Sequence, residues 1–227
     1  MDPASLASDN IGGGLRAFAI VMTVLSAVSL ICRIWSRALH RPTVYEGEHR
    51  FWWDDWIALA TGVFCFAQMG VIIAMIDFAG LGRHIGTLTL GEIALFSKLL
   101  FTTEQLFGFT ICLSKVSALL FYKRLFLPAT DSKTFRTAFW TVFALNIAWE
   151  VGARFGSVFN CTPVAASWDP FMRGKCGSTT TLFFATALTS AFVDLCIMIL
   201  PLPKIWGLRM TTWRKIGLSI VFFLASW

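Results

Sequence analysis

Charged residues are scarce in this chain: 14% of its 227 positions carry Asp, Glu, Lys or Arg, against about a quarter in a soluble domain. The parts from which soluble enzymes are built are missing too. No GxSxG, HExxH, phosphate-loop or dinucleotide-binding glycine motif occurs, and the three histidines, His40, His49 and His84, lie too far apart to suggest a metal site. Neither a metal nor a cofactor is expected. The net charge of +6 does not build a nucleic-acid surface, because the basic residues are scattered in short stretches between apolar runs. No nucleic-acid partner is expected, and the lipid bilayer takes that place. The ten-residue alternation of polar and apolar positions that marks a barrel strand is also absent.

Apolar residues are abundant, at 56% of the chain with 22 Phe and 10 Trp. They fall into long runs: Leu15 to Trp35, Trp56 to Ile76, Ile93 to Phe121, Phe135 to Phe159 and Thr181 to Leu202. Each is long enough to cross a hydrocarbon core about 30 Å thick, which takes roughly 20 residues of α-helix. A sixth run begins at Ile216 and reaches Trp227, which gives about 18 Å of helix at about 1.5 Å per residue. The expectation is an all-α polytopic membrane helical bundle with five complete spans plus a partial sixth. Residues 1–14 form an exterior tail and residues 15–227 a single transmembrane domain. The leader carries Asp2 and Asp9 instead of a basic cluster, so the first span reads as an uncleaved anchor, not a signal peptide.

Orientation follows from Lys and Arg near the span ends. The first, third and fifth connections hold Arg33, Arg37, Arg41 and Arg50; Lys123, Arg124, Lys133 and Arg136; and Lys204, Arg209, Arg214 and Lys215. The second and fourth offer Arg83, Arg173 and Lys175, with Lys98 at the margin, and the N-terminal tail only Arg16. This asymmetry predicts a multi-pass protein of the plasma membrane or an endomembrane, with odd connections in the cytoplasm and the N-terminus outside. Cysteine usage points the same way. Cys32, Cys65, Cys112 and Cys196 lie in apolar spans and read as small buried thiols. Cys161 and Cys176 bracket the fourth connection, on the oxidising side, where a disulfide would contribute about 3 kcal/mol.

Charges inside the apolar runs are the best site candidates, because each is costly in lipid unless paired or hydrated. On the third span Glu104, Gly108, Ile111 and Lys115 share one helical stripe, with Glu104 and Lys115 about 16 Å apart along the axis. Each therefore needs a partner elsewhere. Lys115 and Asp194 sit at similar depth and form a candidate ion pair, while Glu104 has Arg154 within reach on the fourth span and Glu150 stands nearby. These groups serve either as an interhelical clamp or as a ligand pocket or relay. Asp54 and Asp55 invite a metal or proton-sharing reading, but neighbours on a helix point about 100° apart. At the start of a span they read better as acids that cap a helix and favour its dipole. Trp52, Trp53 and Trp56 beside them suit an interfacial aromatic belt.

The motifs Trp53-Asp54-Asp55-Trp56, Gly80-Leu81-Gly82-Arg83-His84, Lys115-Val116-Ser117 with Phe121-Tyr122-Lys123-Arg124-Leu125-Phe126, and Cys161-Thr162-Pro163 with Trp168-Asp169 and Cys176 follow one another in that order. Asp194, Pro201-Leu202-Pro203 and Trp206 complete the series. From Leu15 to Trp227 the chain resembles the fungal rhodopsin-like integral membrane proteins, a group that includes receptor-like proteins and members encoded in secondary-metabolite clusters such as that for satratoxin. The resemblance implies a seven-helix, N-out fold whose exterior loop is closed by Cys161 and Cys176, and relative to that pattern the chain is short at its C-terminal end. It implies no photoreceptor, since microbial rhodopsins hold retinal on a lysine of the seventh helix.

Three functions fit. One is receptor-like sensing of an exterior or lipophilic ligand, read out by a cytoplasmic signalling partner at the basic loops. The second is a membrane-embedded accessory protein or enzyme of mycotoxin-type metabolism, with Glu104, Glu150 or Asp194 as intramembrane acids. The third is a transporter, which ranks last because no internal repeat or pair of broken helices is evident.

Overall fold

The computed structural model describes residues 11–39, 52–126 and 133–203. The apolar run from Ile216 and all four basic residues counted in the fifth connection lie outside them, as do His40, His49, Arg41 and Arg50. Among the described residues there are five α-helices: α1 (Gly12–Leu39), α2 (Trp53–Phe78), α3 (Leu90–Phe126), α4 (Lys133–Val158) and α5 (Thr179–Ile199). They fall on the five expected runs. Four of them, α1, α2, α3 and α5, are long and apolar enough to cross a membrane. Helix α4 has 26 residues, about 39 Å at about 1.5 Å each, but Lys133, Arg136, Asn146, Glu150 and Arg154 make it the most polar of the five.

Local sequence explains where these helices start and turn. Thr89 and Glu92 form a capping box at the start of α3: the Thr89 amide donates to Glu92 Oε2 at 2.7 Å and the Glu92 amide to Thr89 Oγ1 at 3.3 Å. Ser178 caps α5 by accepting from the Thr181 amide. Between α2 and α3 the chain reverses at Gly80 and Gly82, which have φ of +69° and +93°, a region where only glycine is unstrained. The Gly82 carbonyl accepts from the Ile11 amide at 3.2 Å. A Cβ there would lie 2.7 Å from the Gly12 nitrogen, so the motif glycine lets the loop close onto the start of α1. His84 precedes a short 3-10 turn (Ile85–Thr87), its carbonyl accepting from Thr87, and is itself exposed.

Helix α3, at 37 residues, packs against α2, α4 and α5 and is the most enclosed of the four apolar spans. Its C-terminal half meets α4 and α5 in a core of Leu119, Tyr122, Phe135, Phe139, Val193 and Ile197. Helix α1 packs on α2 at a close approach where Gly62 makes room for Leu30; a Cβ on Gly62 would fall 2.2 Å from Leu30 Cδ1.

The α4–α5 connection is a small closed unit. β1 (Cys161–Thr162) pairs antiparallel with β2 (Lys175–Cys176), Cys161 opposite Cys176, and the two cysteines form the expected disulfide. Trp168 rests against Phe101 of α3 with ring centroids 5.5 Å apart, which docks the loop over the helix ends.

Candidate intramembrane binding site

Two groups of charges sit among the helices, and they are built differently. The first joins α1 to α2. Arg33 and Arg37 are one turn apart on α1 and face the same way. Each bridges both acids: Arg33 reaches Asp54 at 3.1 Å and Asp55 at 3.3 Å, and Arg37 reaches them at 3.2 and 3.1 Å. Asp54 and Asp55 are buried. Asp55 also accepts from the Trp52 amide, as an acid at a helix start should, while the Asp54 carbonyl accepts from Ser117 of α3. Both acids therefore do more than cap α2. They lock three helices together, with two positive charges against two negative.

The second group runs along α3, α4 and α5. Lys115, buried on α3, lies 3.1 Å from Asp194 of α5 and donates to Ser190 Oγ at 2.8 Å. Its ammonium also stands 4.9 Å from the centre of the Trp149 ring on α4, within cation–π range. Trp149 in turn donates its Nε1 to Thr189 at 3.0 Å. Nearer the disulfide loop, Arg154 of α4 meets α3, though not by pairing with the Glu104 carboxylate. Its Nη1 donates to the Glu104 backbone carbonyl at 3.0 Å and to Gln105 Oε1 at 2.9 Å. The guanidinium lies over Gly108, where a Cβ would come within 2.0 Å of Nη2. The Glu104 carboxylate instead accepts from Ser157 at 3.1 Å.

Between Arg154 and Lys115 lies Glu150. It is buried, and Arg154 Nε is 3.2 Å from its Oε1, an ion-pair distance without the alignment of a hydrogen bond. Neither carboxylate oxygen accepts a hydrogen bond. One turn before it, Asn146 is fully buried and reaches Cys112 of α3, its Oδ1 likewise without a donor.

These groups border a cleft of about 670 Å³ between α3, α4 and α5, within the 300–1,000 Å³ range of small-molecule sites. Its walls are mainly apolar, among them Phe107, Ile111, Leu182, Phe183 and Leu195, with Glu104, Arg154, Ser157, Ser190 and Asp194 supplying the polar points. A second cleft, on the α1–α2 side of α3, shares Ile111, Ser190 and Asp194 with the first, so the Lys115–Asp194 pair lies at the junction of the two. Among the described residues no cluster of His, Cys, Asp and Glu is arranged to hold a metal. Such a cleft binds an apolar molecule by burial and fixes its polar end at a few points.

The structure thus gathers Glu104, Lys115, Glu150, Arg154 and Asp194 in one region. Asp54 and Asp55 stand apart from it in the α1–α2 cluster, and Gly82 and His84 in the loop after α2 serve the turn. Sequence reasoning missed Arg33 and Arg37 as partners of the acids, although their spacing of four and their position at the facing span end carried that signal. It also missed Ser190, one turn before Asp194, and Trp149, whose ring faces Lys115.

Comparison with known proteins gives these features a family. The chain is 25% identical over 220 residues to the polyenoic acids biosynthesis gene cluster protein Ba17b of Metarhizium anisopliae, covering 95% of this chain and 57% of that protein. It is 29% identical over 152 residues to a SAT4 family membrane protein of Emericella nidulans, covering 67% and 40%. With the fugralins biosynthesis cluster protein 2 of Gibberella zeae it shares 25% identity over 154 residues, covering 66% and 38%. The chain therefore spans between about two fifths and three fifths of the length of these relatives. No solved structure matches it. The model of the fungal rhodopsin domain matches residues 32–227, and the chain belongs to that family of membrane proteins.

Proposed function

We propose that this protein is a membrane-embedded component of a secondary-metabolite pathway that binds a lipophilic small molecule in the cleft between α3, α4 and α5. The observation that carries the proposal is that cleft: an apolar space of about 670 Å³, flanked by buried charged groups of which Glu150 has no hydrogen-bond donor. Charged and polar groups inside a membrane are costly and mark functional pathways. Receptor-like sensing would use the same cleft. The metabolite reading is preferred because two of the relatives are named for biosynthesis clusters.

The proposed orientation has the N-terminus and the α4–α5 loop outside. The Cys161–Cys176 disulfide supports it, since such bonds persist on the oxidising side, and so does the excess of Lys and Arg on the odd connections. Metabolite profiling of a deletion strain tests the function. Loss or diversion of a defined set of lipophilic products is expected, whereas an unchanged product set would remove the proposal.

A further inference from the structure

The charged groups around the cleft are not equally paired. Among the described residues Glu104, Asp194 and Arg154 line it, while Lys115 pairs with Asp194 and Glu150 faces Arg154 from outside the lining. Both cations are engaged with the protein: Lys115 with Asp194 and Ser190, and Arg154 with the Glu104 carbonyl and Gln105 through Nη1, with Nε facing Glu150. Asp194 has Lys115 as its counter-charge, and Glu150 stands behind the wall, not in it. Glu104 differs from both. It lines the cleft, its Oε1 accepts only the Ser157 hydroxyl, and among the described residues no cation meets its carboxylate.

We propose that the ligand of this cleft is a lipophilic amine, whose ammonium sits on the Glu104 carboxylate and whose hydrocarbon lies along Phe107, Ile111, Leu182 and Phe183. The inference rests on the reading of the cleft as a small-molecule site and adds the chemistry of the occupant. An ammonium supplies the counter-charge that the Glu104 carboxylate lacks, whereas a carboxylate ligand would set a second negative charge beside it, where an unpaired charge is most expensive. A neutral hydroxyl satisfies Glu104 less well, because its bond to the carboxylate, though charge-assisted, brings no counter-charge. The remaining Arg154 nitrogen, Nη2, lies against Gly108, where an acceptor on the ligand, such as a carbonyl, completes its bonding.

The test is saturable binding of radiolabelled dodecylamine, dodecanol and dodecanoate to the full chain in nanodiscs, with binding to empty discs subtracted. Dodecylamine is expected to bind at least about tenfold more tightly than dodecanoate. Glu104→Gln should lower amine affinity about tenfold and dodecanol affinity much less, about twofold, while Glu104→Asp should keep the amine preference, which separates loss of charge from loss of fold. Equal or tighter binding of dodecanoate, or amine affinity unaffected by Glu104→Gln, would overturn the amine assignment and leave the cleft standing as a site. If none of the three probes binds saturably, the cleft reading falls with it.

Discussion

The two charge clusters are alike in composition and opposite in character. At the α1–α2 junction, two arginines and two aspartates sum to zero and each arginine bridges both acids. Along α3, α4 and α5, three acids face two bases, Glu150 accepts no hydrogen bond, and a cleft opens beside them. A closed, neutral network has no valence left for a ligand, so its role is to fix helices. An open one, in which the Glu104 carboxylate meets no cation among the described residues, has valence to offer, and it sits where a small molecule fits. Charge inside a membrane thus marks a site only where the surrounding protein leaves it incompletely satisfied.

The contrast is tested by substitutions that should differ in size. Asp54→Asn with Asp55→Asn strands two arginines, and breaking a buried pair in this way costs about 3–5 kcal/mol. The expected result is a large drop in midpoint when the detergent-solubilised protein is heated. Replacing all four residues by apolar ones of similar volume should recover most of it. Cys161→Ser opens the loop between α4 and α5, whose cysteines are 15 residues apart, and should cost about 3 kcal/mol in the same assay. Asp194→Asn is expected to cost less, about 1–2 kcal/mol, because the Asp194 side chain is 38% exposed and Lys115 keeps Ser190 and the Trp149 ring. Trp149→Phe keeps a ring under Lys115 and loses the Nε1 bonds to Thr189 and the Thr186 carbonyl, for about 1 kcal/mol. If Asp194→Asn proved as damaging as the Asp54/Asp55 double change, the second cluster would be a clamp like the first.

How far the sequence revealed this molecule depended on which physical signal was strong. Apolar run length located all five described helices, since the bilayer imposes that length directly. Compartment and spacing pointed to the Cys161–Cys176 bond. Depth counted from the span ends put Lys115 level with Asp194, and the two lie 3.1 Å apart. The same counting, applied to Arg33 and Arg37 against Asp54 and Asp55, would have found the α1–α2 cluster; capping by the two acids was a sufficient local explanation and concealed it. The Arg154 arrangement was harder to see. Its Nη1 bonds the Glu104 backbone carbonyl and a glutamine instead of the Glu104 carboxylate. Only Gly108, on the same stripe as Glu104, hinted that something large lies against α3 there.

Glu104→Gln separates a site from a clamp most directly, measured as the lipophilic metabolite profile of a strain that carries it, with the amount of protein in the membrane followed in parallel. Glu104 carries no ion pair among the described residues, and Gln still accepts from Ser157. The protein level should therefore hold while the dependent products fall about tenfold or more. An unchanged product profile at unchanged protein level would contradict the assignment of the α3–α4–α5 cleft as the functional site.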